Sequence, residues 1–593
     1  MIAELPPAFL FLAAAVLAPL LPQGLRKWVL LAAPLLALGV VHLLPEGVHF
    51  SYNFIGQDLA LLKVDRLNRV FGYIFCIISF LAVLFALQNK DRLEQVAAMV
   101  YAGSALGVTF AGDFFTLYVF WELMAIASTF VVLAGREREA RQAAFRYVMI
   151  HLCGGLFLLA GIILRLHETG SLAVDYVGLT GLPAALMFIG IAVNAAIPPL
   201  HSWLKDAYPA ASYSGAVFLS AFTTKSAVYV MARTFPGTEL LIVLGALMTF
   251  VPIFYAVLEN DIRSVLSYSL INQVGFMMVG IGIGTPLAIN GAVAHAFAHI
   301  LYKGLLFMSA GAVLYRTGKV RCTDLGGLYK YMPVTCICCI VGAASISAFP
   351  LFSGFVTKSM IVSAAGYEHL TLVWLVLMFA SAGVFHHAGI KVPFFMFFGH
   401  DSGLRPKEAP WNMQLAMGIA AVFCIGVGMF PQPLYSLLPF PVDYAPYTGD
   451  HVVGQLQLLM FGALAFALLM LSGIYPAEIR AINLDSDWFY RKGGRLFFAF
   501  ADRCFNGLNA WADRLFVRRL PSGLAAFFAE PGGNAQKYAL RLLAEATGAD
   551  SDLAAQTEQI DRRSRTATYP IGIWVLLAVL FLGAMSFLFF AVK

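Results

Sequence analysis

Apolar runs of fifteen to thirty-odd residues recur along almost the whole chain, each bounded by a short polar or charged stretch. About twenty helical residues rise ~30 Å, the thickness of a bilayer's hydrocarbon core. The runs fall at 8–22, 27–44, 66–88, 94–110, 113–134, 143–165, 181–204, 212–234, 238–258, 264–284, 288–316, 332–365, 370–397, 411–430, 455–474 and 569–591. They predict an all-α integral membrane protein with about sixteen transmembrane helices. The first run, Phe9–Leu21, lacks the basic stretch that precedes a signal-peptide core, and reads as the first helix.

Two runs are interrupted in matching ways. The seventh contains Asn194-Ala-Ala-Ile-Pro198-Pro199-Leu-His201-Ser-Trp203-Leu-Lys205, and the twelfth Ser347-Ala-Phe-Pro350-Leu-Phe-Ser353-Gly354-Phe-Val-Thr-Lys358. Each lies fourth in a block of five, helices 4–8 and 9–13. Proline frees backbone carbonyls, which are tolerated at membrane depth only beside protein or a hydrated cavity. Paired broken helices therefore predict two repeats with a transport path at their breaks. The landmarks divide the chain into N-terminal helices (1–93), a first five-helix repeat (94–234), a second (235–397), further core helices (398–475), a lateral segment (476–568) and a final span (569–593).

The lateral segment has a different pattern. Between Asp487 and Arg519, Phe497, Phe505, Leu508, Trp511 and Leu515 recur near helical spacing, accompanied by Arg495, Arg503, Arg514 and Arg518. That pattern predicts an amphipathic helix along the cytoplasmic surface. Pro521–Gly523 and Pro531–Gly533 are expected to break it, and the polar run Ala549–Arg565 leads to the last span.

Basic residues orient the spans. Odd loops hold Arg26 and Lys27, Lys90 and Arg92, Arg136, Arg138 and Arg141, then Lys205, Arg263, Arg316 to Arg321, Arg405 and Lys407, and Arg491–Arg565. Even loops are poor in them, as at Thr285–Pro286 and Asp443–Asp450, with the second loop (Lys63, Arg66) as the departure. The positive-inside rule then puts both termini outside a bacterial or archaeal cytoplasmic membrane. Composition agrees: 60% of residues are hydrophobic and 12% charged, about half the charged fraction of a soluble domain. The net charge of +6 is modest and gives no ground for a nucleic-acid partner. The lipid bilayer itself is a partner.

Charged groups inside the runs carry the candidate chemistry, because each costs roughly 2.5–3.5 kcal/mol at a helix centre on insertion scales. They are Glu122, Lys225, His295, His299, Lys303 and Lys358. His295, His299 and Lys303 are spaced by four and share one helix face, about 6 Å apart, a separation that water bridges. That is the geometry of a proton path. Other readings exist for each group. Glu122 and Lys225 would also suit a static ion pair, and the histidines would suit satisfied core residues or metal ligands. A zinc site would need a third protein ligand, which the pattern does not offer. Asn194, His201, Lys205, His386, His387 and Lys391 are secondary path candidates, although Lys391, nearer a helix end, is expected to snorkel. Of eight cysteines, the cluster Cys336, Cys338 and Cys339 lies within a helix and reads as packing. No glycine-rich phosphate loop or paired-cysteine motif is present. No cofactor is therefore expected in this chain, no redox active site is identified, and any oxidoreductase chemistry would lie in partner subunits.

The segments around these residues resemble the proton-translocating antiporter-like membrane subunits: Mrp cation/proton antiporter subunits and the large membrane subunits of complex I and membrane-bound hydrogenases. The likeness covers roughly 60–430. It rests on Phe-Trp-Glu122, Pro199-Leu-His-Ser-Trp-Leu, Asp261-Ile-Arg-Ser-Val-Leu-Ser-Tyr-Ser-Leu-Ile-Asn-Gln-Val-Gly275, His295-x3-His299-x3-Lys303-Gly-Leu-Leu-Phe and Phe352-Ser-Gly-Phe-Val-Thr-Lys358. The resemblance implies fourteen core helices in two inverted five-helix repeats and a hydrated midplane axis. Glu122 would match the fifth-helix glutamate, Lys225 the eighth-helix lysine, His295, His299 and Lys303 the central relay, and Lys358 the ionisable residue of the second broken helix. The region 475–593 resembles the lateral-helix extension of the complex I distal subunit. One departure stands out: where the family usually carries a lysine before its Pro-Leu motif, this chain has Asn194, and Lys205 lies about three helical turns beyond, ~16 Å. Glu122 is then expected to couple to Lys225 or to a neighbouring subunit.

These features predict a proton-translocating subunit working with other membrane subunits, in an Mrp-type antiporter with Na+ or K+ or in a redox-driven pump. The alternatives are an energising partner for another uptake system, such as inorganic carbon, and a scaffold with static ion pairs. Topology is directly testable. Single cysteines placed within 136–141, 316–321 or 486–565 of a cysteine-free chain should resist an impermeant thiol reagent applied from outside. Labelling of the third segment alone would remove one helix from the count.

Overall fold

The computed structural model describes residues 5–54, 56–476, 478–479, 483–548, 552–564 and 571–591. The chain divides into two compact units, Met1–Asp487 and Trp488–Lys593.

The first unit opens with α1 (Pro7–Leu17) and α2 (Gln23–Leu43), followed by β1 (Gly47–Phe54) and β2 (Gln57–Val64). Next come α3 (Arg66–Phe85), α4 (Arg92–Phe110), α5 (Phe114–Leu133), α6 (Arg138–Thr169), α7 (Gly181–Asn194), α8 (Ser202–Ala207), α9 (Gly215–Ala221) and α10 (Thr223–Thr234). Then follow α11 (Glu239–Leu258), α12 (Ile262–Ile283), α13 (Pro286–Thr317), α14 (Pro333–Ile346), α15 (Ser353–Tyr367), α16 (Thr371–Val384), α17 (Lys391–Pro393), α18 (Trp411–Met429), α19 (Gln432–Tyr435) and α20 (Gly449–Leu471). Among the described residues, eleven helices are long and apolar enough to cross a membrane. The other apolar helices are short, two of them because their spans are broken.

The all-helical expectation needs one correction. The stretch between the second and third spans is an antiparallel hairpin, with Gly47 opposite Val64 and Phe54 opposite Gln57. Leu59, Leu62 and Val64 of β2 are buried while β1 is largely exposed, so one strand of the pair anchors it. Asp65 then caps α3 by bonding the Asn68 N–H, while Asn68 bonds back to the Asp65 N–H. The same carboxylate takes a bidentate pair from Arg233 at 2.6 and 2.9 Å, fixing the hairpin exit to α10.

The two foreseen breaks are built alike. At the end of α7, Ala196 N–H bonds the Val193 carbonyl and Ile197 N–H the Ala192 carbonyl; at the end of α14, Ala348 bonds Ser345 and Phe349 bonds Ala344. Both are Schellman closures, and each puts an alanine at φ 57° where glycine is usual. Left-handed backbone costs an alanine roughly 1–2 kcal/mol. Both breaks hold it because surrounding packing over-determines the turn. A third interruption, unforeseen, separates α9 from α10 at Phe222. There the Thr223 N–H donates to the Tyr101 hydroxyl instead of to the helix. No proline marks this site in the sequence.

Helices α12 and α13 form the centre, with almost every residue buried. They pack against each other, and α13 also packs against α3, α9, α14, α15 and α18. The run after α16 carries π-helical turns at Phe385–Ile390 and Phe394–Phe398.

In the second unit, α21 (Asp487–Ala501), α22 (Gly507–Ala512) and α23 (Leu520–Ala529) are joined by π-helical turns at Asp502–Asn506 and Asp513–Arg519. The expected break at Pro521 is absent: the π turn before it shifts the hydrogen-bond register past the missing N–H. The break comes at Glu530, where φ is −138° and ψ 67°. Beyond it, α24 (Pro531–Thr547) packs on α25 (Leu553–Ser564), secured by Lys537 to Asp561 and by Ser564 to Glu530. The apolar α26 (Ile571–Ala591) covers the expected last span, whose residues 569–570 lie outside those described, as do 549–551 and 565–568 of the lateral segment.

Gly354 permits the second break to close. A side-chain carbon there would collide with the Ser345 carbonyl oxygen, a backbone atom that cannot swing aside. Gly354→Ala is expected to lower the melting temperature of the purified protein and its level in membranes. Gly418→Ala, which meets nothing within 4 Å, should do neither. Equal stability of the two variants would refute the close-approach role.

Candidate functional site

The breaks and the central helix place five ionisable side chains in one buried region. Lys225 on α10, His295, His299 and Lys303 on α13, and Lys358 on α15 are each at most 2% exposed. Among the described residues no carboxylate lies within ion-pairing distance of these lysines. Their ammonium groups bond carbonyls and hydroxyls instead. Lys225 donates to the Ser220 carbonyl at 2.5 Å, at the end of α9. Lys358 donates to the Ile346 carbonyl at 2.9 Å, at the end of α14, and lies 5.2 Å from the Phe276 ring centroid. Lys303 reaches Ser269 Oγ at 2.9 Å and the Leu266 carbonyl at 3.4 Å on α12. Glu122 and Lys225 form no ion pair with each other: Lys225 is taken by the helix end, and Glu122 Oε1 is buried without a partner.

The shared face of α13 is real. The His295 and His299 ring centroids are 6.3 Å apart. His295 is tied on both sides, Nδ1 to Thr357 Oγ1 at 3.2 Å and Nε2 to Gln273 Oε1 at 3.2 Å. Tyr302 joins the same group, 3.1 Å from Gln273 Oε1. A continuous line of polar groups thus runs from Thr357, next to Lys358, through His295 to Gln273 and Tyr302. His299 has both ring nitrogens buried and unbonded, with the Tyr302 ring 5.2 Å away. Gln273 lies inside a quoted motif, and a buried-amide criterion would have selected it; Tyr302 and Thr357 carry no sequence signal beyond their adjacency to Lys303 and Lys358.

Asn194 sits at the end of α7, where its Oδ1 meets His151 Nδ1 on α6 at 2.7 Å. His151 was missed, although it is a histidine within the sixth apolar run and meets the criterion that selected His295. Its ring packs against Tyr147 and Trp203, 4.1 and 4.5 Å from their centroids, and those two rings also meet each other at 5.4 Å.

The remaining candidates gather at the ends of α8 and α11, apart from this region's bonds. His201 pairs with Asp485 at 3.2 Å, and Tyr268 donates to the same carboxylate at 2.8 Å. Burial raises the Asp485 pKa, but the His201 and Tyr268 hydrogen bonds outweigh it and hold the carboxyl below its usual value. Lys205 faces Glu259 at 3.9 Å, and burial of Glu259 raises its pKa against the pull of that lysine. Lys391 does not snorkel. It is fully buried, donates to the Val257 and Glu259 carbonyls at 2.6 and 2.8 Å, and pairs with Glu478 at 2.8 Å. The last carbonyls of α11 have no helical donor, and the ammonium supplies one. His387 is buried with both nitrogens unbonded, whereas His386 packs on Phe466 and Tyr475. Both stand in the first π-helical turn. Cys336, Cys338 and Cys339 are buried in α14 as free thiols.

Residues 111–385 match the family described as NADH:quinone oxidoreductase/Mrp antiporter, transmembrane. The chain is 28% identical over 524 residues to the Na(+)/H(+) antiporter subunit A1 of Staphylococcus aureus, covering 79% of this chain. It spans 64% of that relative's length. A chain of the membrane-bound sulfane sulfur reductase, an archaeal respiratory membrane complex, superposes with a TM-score of 0.70 at 26% identity, covering 89% of this chain and 98% of that one. A chain of the Mrp complex from Dietzia sp. DQ12-45-1b shares the fold, with a TM-score of 0.65 at 20% identity over 79% of this chain and 99% of that one. With its broken helices and buried lysines, this integral membrane protein is similar to the antiporter-like membrane subunits that its motifs resemble.

Proposed function

We propose that the chain is a proton-translocating subunit of a multi-subunit membrane complex, either an Mrp-type cation/proton antiporter or a redox-driven pump. The observation that carries this reading is the set of buried lysines and histidines on α10, α13 and α15 without carboxylate partners. A desolvated ammonium held only by carbonyls and hydroxyls can lose its proton without stranding a buried counter-charge. Its charge state then biases its neighbours, which is what stepwise proton movement requires. Static ion pairs, the basis of the scaffold reading, are found at Lys391–Glu478 and His201–Asp485 rather than here.

In this reading protons move along Lys225, His299, Lys303, His295 and Lys358, with Glu122 at the entry to the first half. Two inverted five-helix repeats, helices 4–8 and 9–13, frame the path; the like-built closures at Ala196 and Ala348 support that arrangement. The similar proteins are an antiporter subunit and a chain of a respiratory membrane complex, which supports other membrane subunits as partners. Na+ or K+ would be the counter-ion in the antiporter case.

Lys303→Ala tests the path in the intact complex. Proton movement in sealed vesicles, followed with a pH-sensitive dye, is expected to fall by at least about a hundredfold while the complex still assembles. His299→Ala should be milder, because water bridges the gap it leaves. Wild-type proton movement in Lys303→Ala vesicles would overturn the proposed path.

A further inference from the structure

Three buried polar atoms without partners cluster in the first half: Glu122 Oε1, His151 Nε2 and Asn194 Nδ2. Their surroundings are specific. Gly155 lies on α6, and a side-chain carbon there would overlap Glu122 Oε1. The carboxyl group therefore occupies the space that the missing side chain vacates. His151 is one turn away on the same face of α6, four residues before Gly155, a spacing of about 6 Å between side-chain bases. Glycine at 155 thus lets the carboxyl of α5 enter the face of α6 that carries His151 one turn earlier.

The imidazole is set for proton exchange. Its Nδ1 is engaged by Asn194 Oδ1, an oxygen that accepts, so Nδ1 carries the hydrogen. That leaves Nε2 with a free lone pair. Tyr147 and Trp203 hold the ring plane, and Trp203 is itself fixed by donating to the Val193 carbonyl at 2.9 Å. Buried polar atoms are seldom left without a partner, and Nε2 has none among the described residues. Onward, the Tyr147 hydroxyl bonds Ser128 Oγ at 3.0 Å and lies 3.3 Å from Thr223 Oγ1, which lies 2.6 Å from the Tyr101 hydroxyl. Thr223 is two residues from Lys225. A hydroxyl cluster thus stands between His151's neighbour Tyr147 and the lysine helix.

We propose that His151 is a proton-carrying residue of the first half, exchanging a proton at Nε2 between Glu122 and the Lys225 side, with Asn194 as its positioning residue. Glu122 gives up one proton, His151 gains it and becomes imidazolium, and the same nitrogen releases it onward; no other reactant is needed. This rests on the proton-translocating reading above. It also answers the departure at position 194: the titratable group has moved across the hydrogen bond, from the end of α7 to α6.

The test uses the full chain in its membrane complex and the same dye measurement in sealed vesicles. His151→Gln keeps a hydrogen-bonding side chain and should lower proton movement at least about tenfold, with assembly unchanged. Adding Asn194→Lys to His151→Gln returns a protonatable group to the same space and should recover part of the rate. Gly155→Ala should fold, because the displaced atoms are the tip of a flexible side chain, yet slow proton movement by pushing Glu122 away from His151. A wild-type rate in His151→Gln, with Lys303→Ala inactive, would sink the role of His151 and leave the broader reading standing. Wild-type rates in both would sink that reading itself. If His151→Gln fails to assemble, Gly155→Ala decides: a wild-type rate there overturns the Glu122–His151 link.

Discussion

The structure depends on how an ammonium group survives at membrane depth. Lys225, Lys358 and Lys391 each sit on carbonyls at the C-terminal end of a helix, those of α9, α14 and α11. A helix end leaves up to four carbonyls without donors and carries the negative pole of the helix dipole. A buried lysine needs acceptors, and a buried helix end needs donors. At Lys225 and Lys358 each resolves the other's desolvation without a carboxylate, whereas Lys391 also takes Glu478. Breaking a span is what creates such ends inside the protein, so the broken helices and the unpaired lysines are one feature seen from two sides.

The first unit uses two electrostatic regimes. At the centre, lysines and histidines are held by neutral groups, and every bond there can be exchanged for water at modest cost. At the ends of α8 and α11, acids from the stretch after α20 are brought in: Glu478 to Lys391 and Asp485 to His201. Removing one member of such a buried pair leaves an unmatched polar group, so these contacts hold geometry. The backbone shows the same division. The closures at Ala196 and Ala348 carry strain at the broken helices, whereas the helix caps at Asp65, Asp91, Asp113 and Asp261 follow ordinary side-chain capping.

Much of this was legible in the sequence because burial in a bilayer forces long apolar runs and makes each interior charge conspicuous. Glu122, Lys225, His295, His299, Lys303 and Lys358 were found in that way, and the two proline-marked breaks by their shared spelling. What escaped lacked a local mark. The hairpin between α2 and α3 has only short alternation in β2, and the turn at Phe222 is imposed by Tyr101 from another helix. Pro521 looked like a stop signal, but a π turn absorbs it. Lys391 looked like a snorkelling residue, because its partners come from α11 and from Glu478, far along the chain. A static pair between Glu122 and Lys225, on the fifth and eighth spans, was one reading open in the sequence, while the helix end that takes the lysine is invisible to residue counting.

The stretch from Tyr475 to Asp485 bears on how this chain can be cut. By hydropathy it belongs to the lateral region, and a boundary drawn after residue 475 would assign it there. By its contacts it belongs to the helical body, since Glu478 pairs with Lys391 and Asp485 with His201. A truncation at 475 would leave a buried cation at the end of α11 and an unmatched imidazole beside α8, and the remaining helices would have to admit water to solvate them. One made after Asp487, where the compact unit ends, would not. The natural seam of this protein is therefore a charge-balance boundary, a dozen residues beyond the hydrophobic one.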